Sequence, residues 1–326
     1  MPDEARAKSA EVAVFTRVVE ADAEPFIQSF GLGALHALTP IAEGVENTNY
    51  RIDTAGGRFV LTLFEGRTDE AALPFCLGFT AHAARAGLPC ARPLQNASGE
   101  VISRLNHRPA AILEWLPGAW KRSPSMQDQF AAGALLARLH LAGADFPLTR
   151  PDPMGARARR ALFDRCQSRA LPADQVLLDR MAPWILDRTP GQAATLPIGP
   201  IHADYFPDNI LFEGGAPSGL IDFYFACTEV LAYDLAIALA AWGFDAEGSA
   251  LPDAIAGFQS GYESIRPLSP AEHRALPELG AVAAVRFTLT RLHDRMFHDP
   301  NAMVTPKDPA PFLRRLDWWT RQTAAA

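Results

Sequence analysis

Cysteine is scarce in this chain. The four present, Cys76, Cys90, Cys166 and Cys227, are widely separated and none belongs to a C-x-x-C pair. That spacing excludes a ribbon-type zinc site and a disulfide framework. The four read instead as buried, reduced thiols of a cytoplasmic protein. The N-terminus lacks the basic-then-apolar layout of a secretory leader. No apolar run attains the roughly 18–20 residues of a membrane span. The richest, from Val230 to Phe244, is shorter and carries Asp234, so no membrane association is expected. Positive charge is also in short supply: 30 Lys and Arg stand against 37 Asp and Glu, a net charge of -7. This argues against a nucleic-acid surface, where clustered cations must neutralise phosphates. It leaves room for a nucleotide, which needs only one or two local cations and a metal. There is no H-x-H pair to start a hydrolytic metal centre, and no internal repeat.

The chain has 326 residues, 48% of them hydrophobic and 21% charged, which fits about two globular domains. Residues 1–12, rich in alanine and charge, read as a mobile arm. Residues 13–116 read as a small antiparallel β lobe with one helix. Thr48–Thr54 and Arg58–Glu65 are β-prone and separated by the turn signal Ala55-Gly56-Gly57. Leu73, Leu77, Thr80, Ala81 and Ala84 share a helical face within 69–86, which ends at Gly87 and Pro89. Strands are expected around Val101 and from Ala110 to Trp115. Residues 117–326 read as a larger, mostly helical lobe. Phe130, Leu135, Leu139 and Ala142 keep a 3.6-residue period, and short strands are expected near Ile201, over Ile210–Phe212 and over Gly219–Phe223. Helices are expected from Glu229 onward. Two such lobes create a cleft, the usual place for a small ligand.

The chemistry is concentrated in Ile201-His202-Ala203-Asp204-Tyr205-Phe206-Pro207-Asp208-Asn209-Ile210-Leu211-Phe212. Its core, H-x-D-x-x-x-x-N, has the spacing of a kinase catalytic loop, in which Asp receives the proton of the acceptor hydroxyl and Asn binds magnesium. Thirteen residues beyond Asn209 stands Asp222, within Leu220-Ile221-Asp222-Phe223, the metal-holding element of the same machinery. Mg²⁺ takes hard oxygen ligands, so one carboxylate and one amide oxygen suit it alongside ATP phosphates. Asp204 is therefore the expected base, Asn209 and Asp222 the expected metal ligands, and His202 the expected brace of the loop.

With these residues in place, the sequence resembles the aminoglycoside phosphotransferase and choline kinase superfamily, which shares the bilobal protein-kinase-like fold of the α+β class. Within it, the chain is most similar to the homoserine kinases of bacterial threonine biosynthesis. The resemblance is carried by Gly44–Tyr50, Phe59–Glu65, Leu73-Pro74-Phe75, Ala110–Gly118, Leu136–Gly143, Gly219–Cys227, Tyr233–Ile237 and Val304–Pro309. It implies an ATP- and Mg²⁺-dependent phosphorylation of the γ-hydroxyl of L-homoserine to O-phospho-L-homoserine. It implies that Gly44, Asn47, Thr48 and Asn49 lie over the ATP phosphates, and that Glu114, Trp115 and Leu116 form the hinge against the adenine edge. Two departures stand out. Thr62 occupies the place where superfamily members often carry Lys or Arg, which leaves Arg51, Arg58 and Arg67 as substitutes and Glu70 without its usual partner. Tyr224 stands where protein kinases have the glycine of D-F-G, which suggests a rigid metal site.

Homoserine presents an ammonium, a carboxylate and a hydroxyl. Asp208, Asp234 and Asp245 are candidate acids for the ammonium, Tyr205 a candidate hydroxyl, and Arg286 and Arg291 candidate cations for the carboxylate. The alternatives are another small-molecule kinase of the superfamily, acting on an aminoglycoside, choline, ethanolamine or methylthioribose, and a nucleotide-binding pseudokinase. The sequence does not fix an oligomeric state.

Overall fold

A computed structural model of the protein describes residues 16–41, 47–65, 69–185, 196–298 and 306–325. The N-terminal arm of residues 1–12, Gly44 and Arg67 lie outside the described residues. The chain divides into two compact units. The first takes in the described residues of 1–72 and 92–115. The second takes in those of 73–91, 116–300 and 306–326.

In the first unit, helix α1 (Glu20–Ser29) precedes strands β1 (Leu35–Pro40), β2 (Thr48–Thr54), β3 (Gly57–Leu63), β4 (Ser103–Leu105) and β5 (Arg108–Glu114). The strands form one antiparallel sheet in the order β1-β2-β3-β5-β4. Burial in β2 alternates with the pleat, placing Thr48, Tyr50, Ile52 and Thr54 inside. The β2–β3 turn closes at Thr54↔Gly57, where Gly57 has φ 129°, a conformation that only glycine adopts without strain. Helix α1 covers the sheet with Ala23, Phe26 and Ile27, and Phe30 follows at its end, packed with Tyr50, Ile52, Leu61, Leu63 and Ile112. Neither α1 nor β1 was expected. The i, i+3, i+4, i+7 spacing of Ala23, Phe26, Ile27 and Phe30 is the signal that marks the helix.

The second unit contains α2 (Leu73–Arg85), α3 (Met126–Ala142), α4 (Ala156–Gln167), α5 (Pro172–Ile185), β6 (Ile198–Ile201), β7 (Ile210–Glu213), β8 (Ala216–Leu220), β9 (Cys227–Val230), α6 (Leu231–Trp242), α7 (Pro252–Glu263), α8 (Pro270–Met296) and α9 (Ala310–Ala325). The four strands make two antiparallel ribbons, β6–β9 and β7–β8. Helix α2, expected within the small β lobe, groups instead with this unit. Its Phe75 packs edge-on against Phe146 at 5.3 Å between ring centres, and its Phe79 against Phe223 at 5.6 Å. Strand β8 ends at Leu220 and a 3₁₀ turn follows over Phe223–Phe225, so the expected strand through Phe223 is two separate pieces. Helix α6 is buried on every side, with Leu231 to Ala240 and Trp242 enclosed, as expected of a helix at the centre of a bundle.

Helices α3 and α7 cross at a reciprocal notch. A Cβ on Gly133 would collide with Phe258 O, and one on Gly261 with Phe130 O. Two glycines thus let the backbones approach closely. Among the described residues no helix is long and apolar enough to cross a membrane. All four cysteines are reduced and buried, and burial pushes the Cys90 thiol up to about 12.

Candidate active site

The second unit brings the H-x-D-x-x-x-x-N residues together through backbone geometry. The chain leaves β6 at Ile201 and Ala203 adopts a left-handed φ of 62°, a conformation costing about 1–2 kcal/mol for a residue with a Cβ. Opposing hydrogen bonds hold that peptide. Asp234, wholly buried on α6, accepts from His202 N and Ala203 N, each at 2.8 Å. On the other side Arg286 of α8 donates from Nη1 to Ala203 O at 2.8 Å. Two helices therefore clamp the one strained residue that precedes Asp204.

His202 is buried beneath the loop. Asp204 N donates to its Nδ1 at 3.2 Å, and its Nε2 meets Ile221 O at 3.0 Å. An amide can only donate and a carbonyl only accept, so the ring is the Nε2–H tautomer. Burial lowers its pKa first of all, against the opposing pull of Asp234, which keeps it uncharged at neutral pH. Its ring lies 4.8 Å from that of Phe223, tying the loop to the Asp222 turn.

Asp204 is half-buried. Desolvation pushes its carboxyl up to about 6. The Arg286 charge opposes that rise, Asp208 adds to it, and Lys307 and the Asn209 hydrogen bond oppose it. Asn209 donates from Nδ2 to Asp204 O at 2.8 Å and to Asp204 Oδ2 at 3.3 Å. With that amide nitrogen committed, its oxygen is the arm suited to a cation. Asp222 lies at the same end of the β7–β8 ribbon, because Ile210 pairs with Leu220 and Ile221 N donates to Asn209 O at 3.1 Å. It too is left-handed, at φ 66°. One amide oxygen and one carboxylate are hard donors that fit Mg²⁺, which draws its other ligands from phosphates and water. Among the described residues there is no set of three His, Cys, Asp or Glu side chains built for a metal.

The Asp222 turn has a holder that the sequence did not disclose. Arg150 donates from Nη1 to Tyr224 O at 2.8 Å and to Ala226 O at 2.7 Å, and exchanges backbone and hydroxyl hydrogen bonds with Thr228. The residue that replaces the D-F-G glycine is thus fixed through its carbonyl. No motif surrounds Arg150, so only tertiary structure reveals it.

Several acceptor candidates fall elsewhere. Tyr205 is wholly buried and donates its hydroxyl proton to Ala132 O at 2.9 Å, so the core uses it. Asp234 is consumed by the loop amides and by His140 Nε2 at 3.0 Å. Asp245 serves its own turn, accepting from Ser249 N at 2.7 Å. Arg291 donates to Asp308 O at 3.2 Å and stacks over Phe312. Asp208 is exposed. Arg286 is buried, yet its charge and those of Lys307 and Asp208 all act on Asp204.

In the first unit, Asn47 accepts from Glu65 N at 3.2 Å, and Thr48 donates to Glu65 Oε1 at 2.7 Å. Glu65 also pairs with Arg108 at 3.3 Å. This buried carboxylate lies two residues beyond β3, the strand that carries Thr62. Thr62 itself donates to Asn49 Oδ1 at 2.7 Å, across the register pair Asn49↔Thr62. The strand hydroxyl that replaces the lysine thus holds the Asn49 side chain. Of the substitute cations, Arg51 and Arg58 both pair with Asp53. Glu70, without the usual strand lysine, pairs instead with Arg104 at 2.7 Å. Glu114 pairs with Arg92, and Trp115 lies under the Arg58 guanidinium. Leu116 falls in the second unit.

The Phosphotransferase enzyme family matches residues 37–268. A homoserine kinase of Methylorubrum populi is 44% identical over 313 residues, covering 94% of this chain and 95% of its own. One from Gluconacetobacter diazotrophicus is 46% identical over 310 residues, covering 94% and 96%. Among solved structures, the amicoumacin kinase hAmiN in complex with AMP-PNP, Ca2+ and Ami superposes with a TM-score of 0.69 at 15% identity, over 93% of this chain and 95% of its own. That likeness is one of fold.

Proposed function

The chain belongs to the homoserine kinases of the Phosphotransferase enzyme family, and from that premise we propose that Asp204 is the base that readies the γ-hydroxyl of L-homoserine for the γ-phosphoryl group of ATP. The observation that carries the activity is identity of 44% and 46% to homoserine kinases over nearly the whole chain. The roles given to residues rest on the second unit's geometry.

Phosphoryl transfer needs positioning and charge neutralisation more than covalent help. Asp204 is oriented from three sides: by its own amide on His202, by Asn209, and by the clamped peptide of Ala203. Its carboxyl, pushed up to about 6, is ionised at neutral pH but close enough to neutrality to accept a proton. As the homoserine oxygen bonds to the γ-phosphorus and the bond to the ADP oxygen breaks, the hydroxyl proton passes to Asp204. Asn209 and Asp222 would hold Mg²⁺, which when bound neutralises charge on the phosphates. His202 relays no proton in the reaction, since both ring nitrogens are engaged by backbone.

The acceptor environment supports a zwitterionic substrate. Asp204 lies in a field of both signs, from Arg286, Lys307 and Asp208. A carboxylate drawn to the cations and an ammonium drawn to Asp208 would orient an amino acid with its hydroxyl toward Asp204. The buried reduced thiols support the cytoplasm as the working compartment.

The test is kcat/KM for a panel of acceptors at saturating Mg-ATP, with the product identified by mass and phosphorus NMR. L-Homoserine should lead. 4-Hydroxybutyrate lacks the ammonium and should be poor, because a site built for it leaves its own polar groups unpaired. L-Serine and L-threonine carry hydroxyls too close to the α-carbon to reach Asp204. A preference for choline or kanamycin would overturn the assignment.

A further inference from the structure

Behind the clamped loop runs a second line of buried polar groups that the mechanism above does not use. His140, two turns after Gly133 on α3, places Nε2 3.0 Å from Asp234 Oδ2 and Nδ1 2.7 Å from the Tyr262 hydroxyl. Tyr262, next to Gly261 on α7, reaches it because the two glycines let these helices meet. Arg266 places Nη1 3.1 Å from the same hydroxyl and Nη2 2.8 Å from Glu272 Oε1. Glu272 closes a capping box with Ser269 at the start of α8. His140, Asp234, Tyr262 and Glu272 are all buried.

The ends of this line fix its direction. Arg266 can only donate and the Asp234 carboxylate can only accept. The Tyr262 oxygen receives from Arg266, so its own proton points to His140 Nδ1. The imidazole then presents Nε2–H to Asp234. Asp234 Oδ2 accepts this bond together with that of His202 N, while Oδ1 takes Ala203 N. The donor from His140 sets how the carboxylate is turned, and the carboxylate sets the amides on which the left-handed Ala203 hangs.

We propose that His140 and Tyr262 are positioning residues for phosphoryl transfer. They form a one-directional hydrogen-bond chain from Arg266 through Tyr262 and His140 to Asp234, which holds the Ala203–Asp204 peptide in its productive conformation. The proposal rests on the reading of Asp204 as the base. Neither residue touches a substrate, so their loss acts on the placement of Asp204 and leaves nucleotide binding alone.

The experiment has two arms. Tyr262→Phe removes one oxygen and keeps the ring, and L-homoserine phosphorylation is measured beside Asp204→Asn. The expected result is a fall in kcat of about tenfold or more, as displacement of a reacting group produces, with KM for ATP within about twofold. His140→Gln should fall similarly, and Tyr262→Phe should add little in the His140→Gln background, because one chain is already broken. The second arm reads the wild-type protein by ¹⁵N NMR of its imidazoles, which depends on no variant folding. His140 should show a protonated Nε2 and an accepting Nδ1. Unchanged kcat in Tyr262→Phe, additive losses in the double variant, or an imidazolium or Nδ1–H form of His140 in the wild type would each overturn the chain. If Asp204→Asn keeps its activity, the reading of the base fails; if it collapses while Tyr262→Phe does not, only the positioning proposal fails.

Discussion

Replacing Asp234 by Asn tests how much the loop's conformation depends on a buried charge. The side chain keeps its size, but the carboxylate that accepts from His140 Nε2, His202 N and Ala203 N becomes an amide with one accepting oxygen. That oxygen can serve two of the three donors, and the new NH₂ must face the third. A hydrogen bond to a charged group contributes about 1.5–3 kcal/mol, and a buried donor left unmade costs about 1–3 kcal/mol. Together they set an expected loss of about 2.5–6 kcal/mol. The sign with pH follows from the carboxyl itself. Burial works to raise its pKa, but the His140 hydrogen bond and the charges and amides around it outweigh burial and hold it below the ordinary value. Its contribution is therefore fully present above about pH 4, the unfolded value of an aspartate, and is lost as pH falls through the lower folded value. Urea unfolding followed by tryptophan fluorescence should show the gap between wild type and Asp234→Asn constant from pH 5 to 8 and shrinking below pH 4. Trp242, which donates to Tyr205 O at 3.0 Å, reports on the same unit. A loss under about 1 kcal/mol at pH 7, or a gap that grows on acidification, would refute an ionised acceptor of three bonds.

Asp204→Asn should lower kcat by about 10²–10⁴-fold, the usual contribution of a positioned base, with ATP affinity nearly unchanged; steady-state kinetics retaining more than about a tenth of wild-type kcat would rule out the base assignment. Asp222→Ala and Asn209→Ala should each raise the Mg²⁺ concentration needed for turnover, the first more because it also loses a charge; a titration that overlays the wild type would remove that residue from the metal site. Thr62→Val deletes one neutral hydrogen bond to Asn49, so kcat/KM should stay within about tenfold, about 1.4 kcal/mol; a thousandfold loss would mean that the hydroxyl meets the nucleotide in the transition state.

The loop of the candidate site is legible in the sequence because its pattern is local. His202, Asp204 and Asn209 occur in one short run, and the strands that flank them carry alternating or continuous apolar residues. The partners of those residues were not legible. Asp234 and Tyr205 looked like acceptor ligands because their types suit the task; only burial shows that the loop amides and Ala132 O consume them. Helix α2 displays its apolar face in sequence, but not the fact that Phe146 and Phe223 pack against it. Arg150 and the Tyr262–His140 contact join segments far apart in the chain, and no period or spacing encodes such a meeting. Helix α1 had its signal in the spacing of Ala23, Phe26, Ile27 and Phe30.

Ala203 and Asp222 hold left-handed backbone without being glycine. At such a position the exchange to glycine relieves steric strain in the folded chain, although it also loosens the unfolded one. Ala203→Gly would thus be a natural hit in a selection for heat resistance alone, and Asp204 would then follow a more pliable peptide. Directed evolution of this enzyme toward new acceptors should therefore select for turnover and thermal tolerance in the same round, since selection for the second property alone can erode the first.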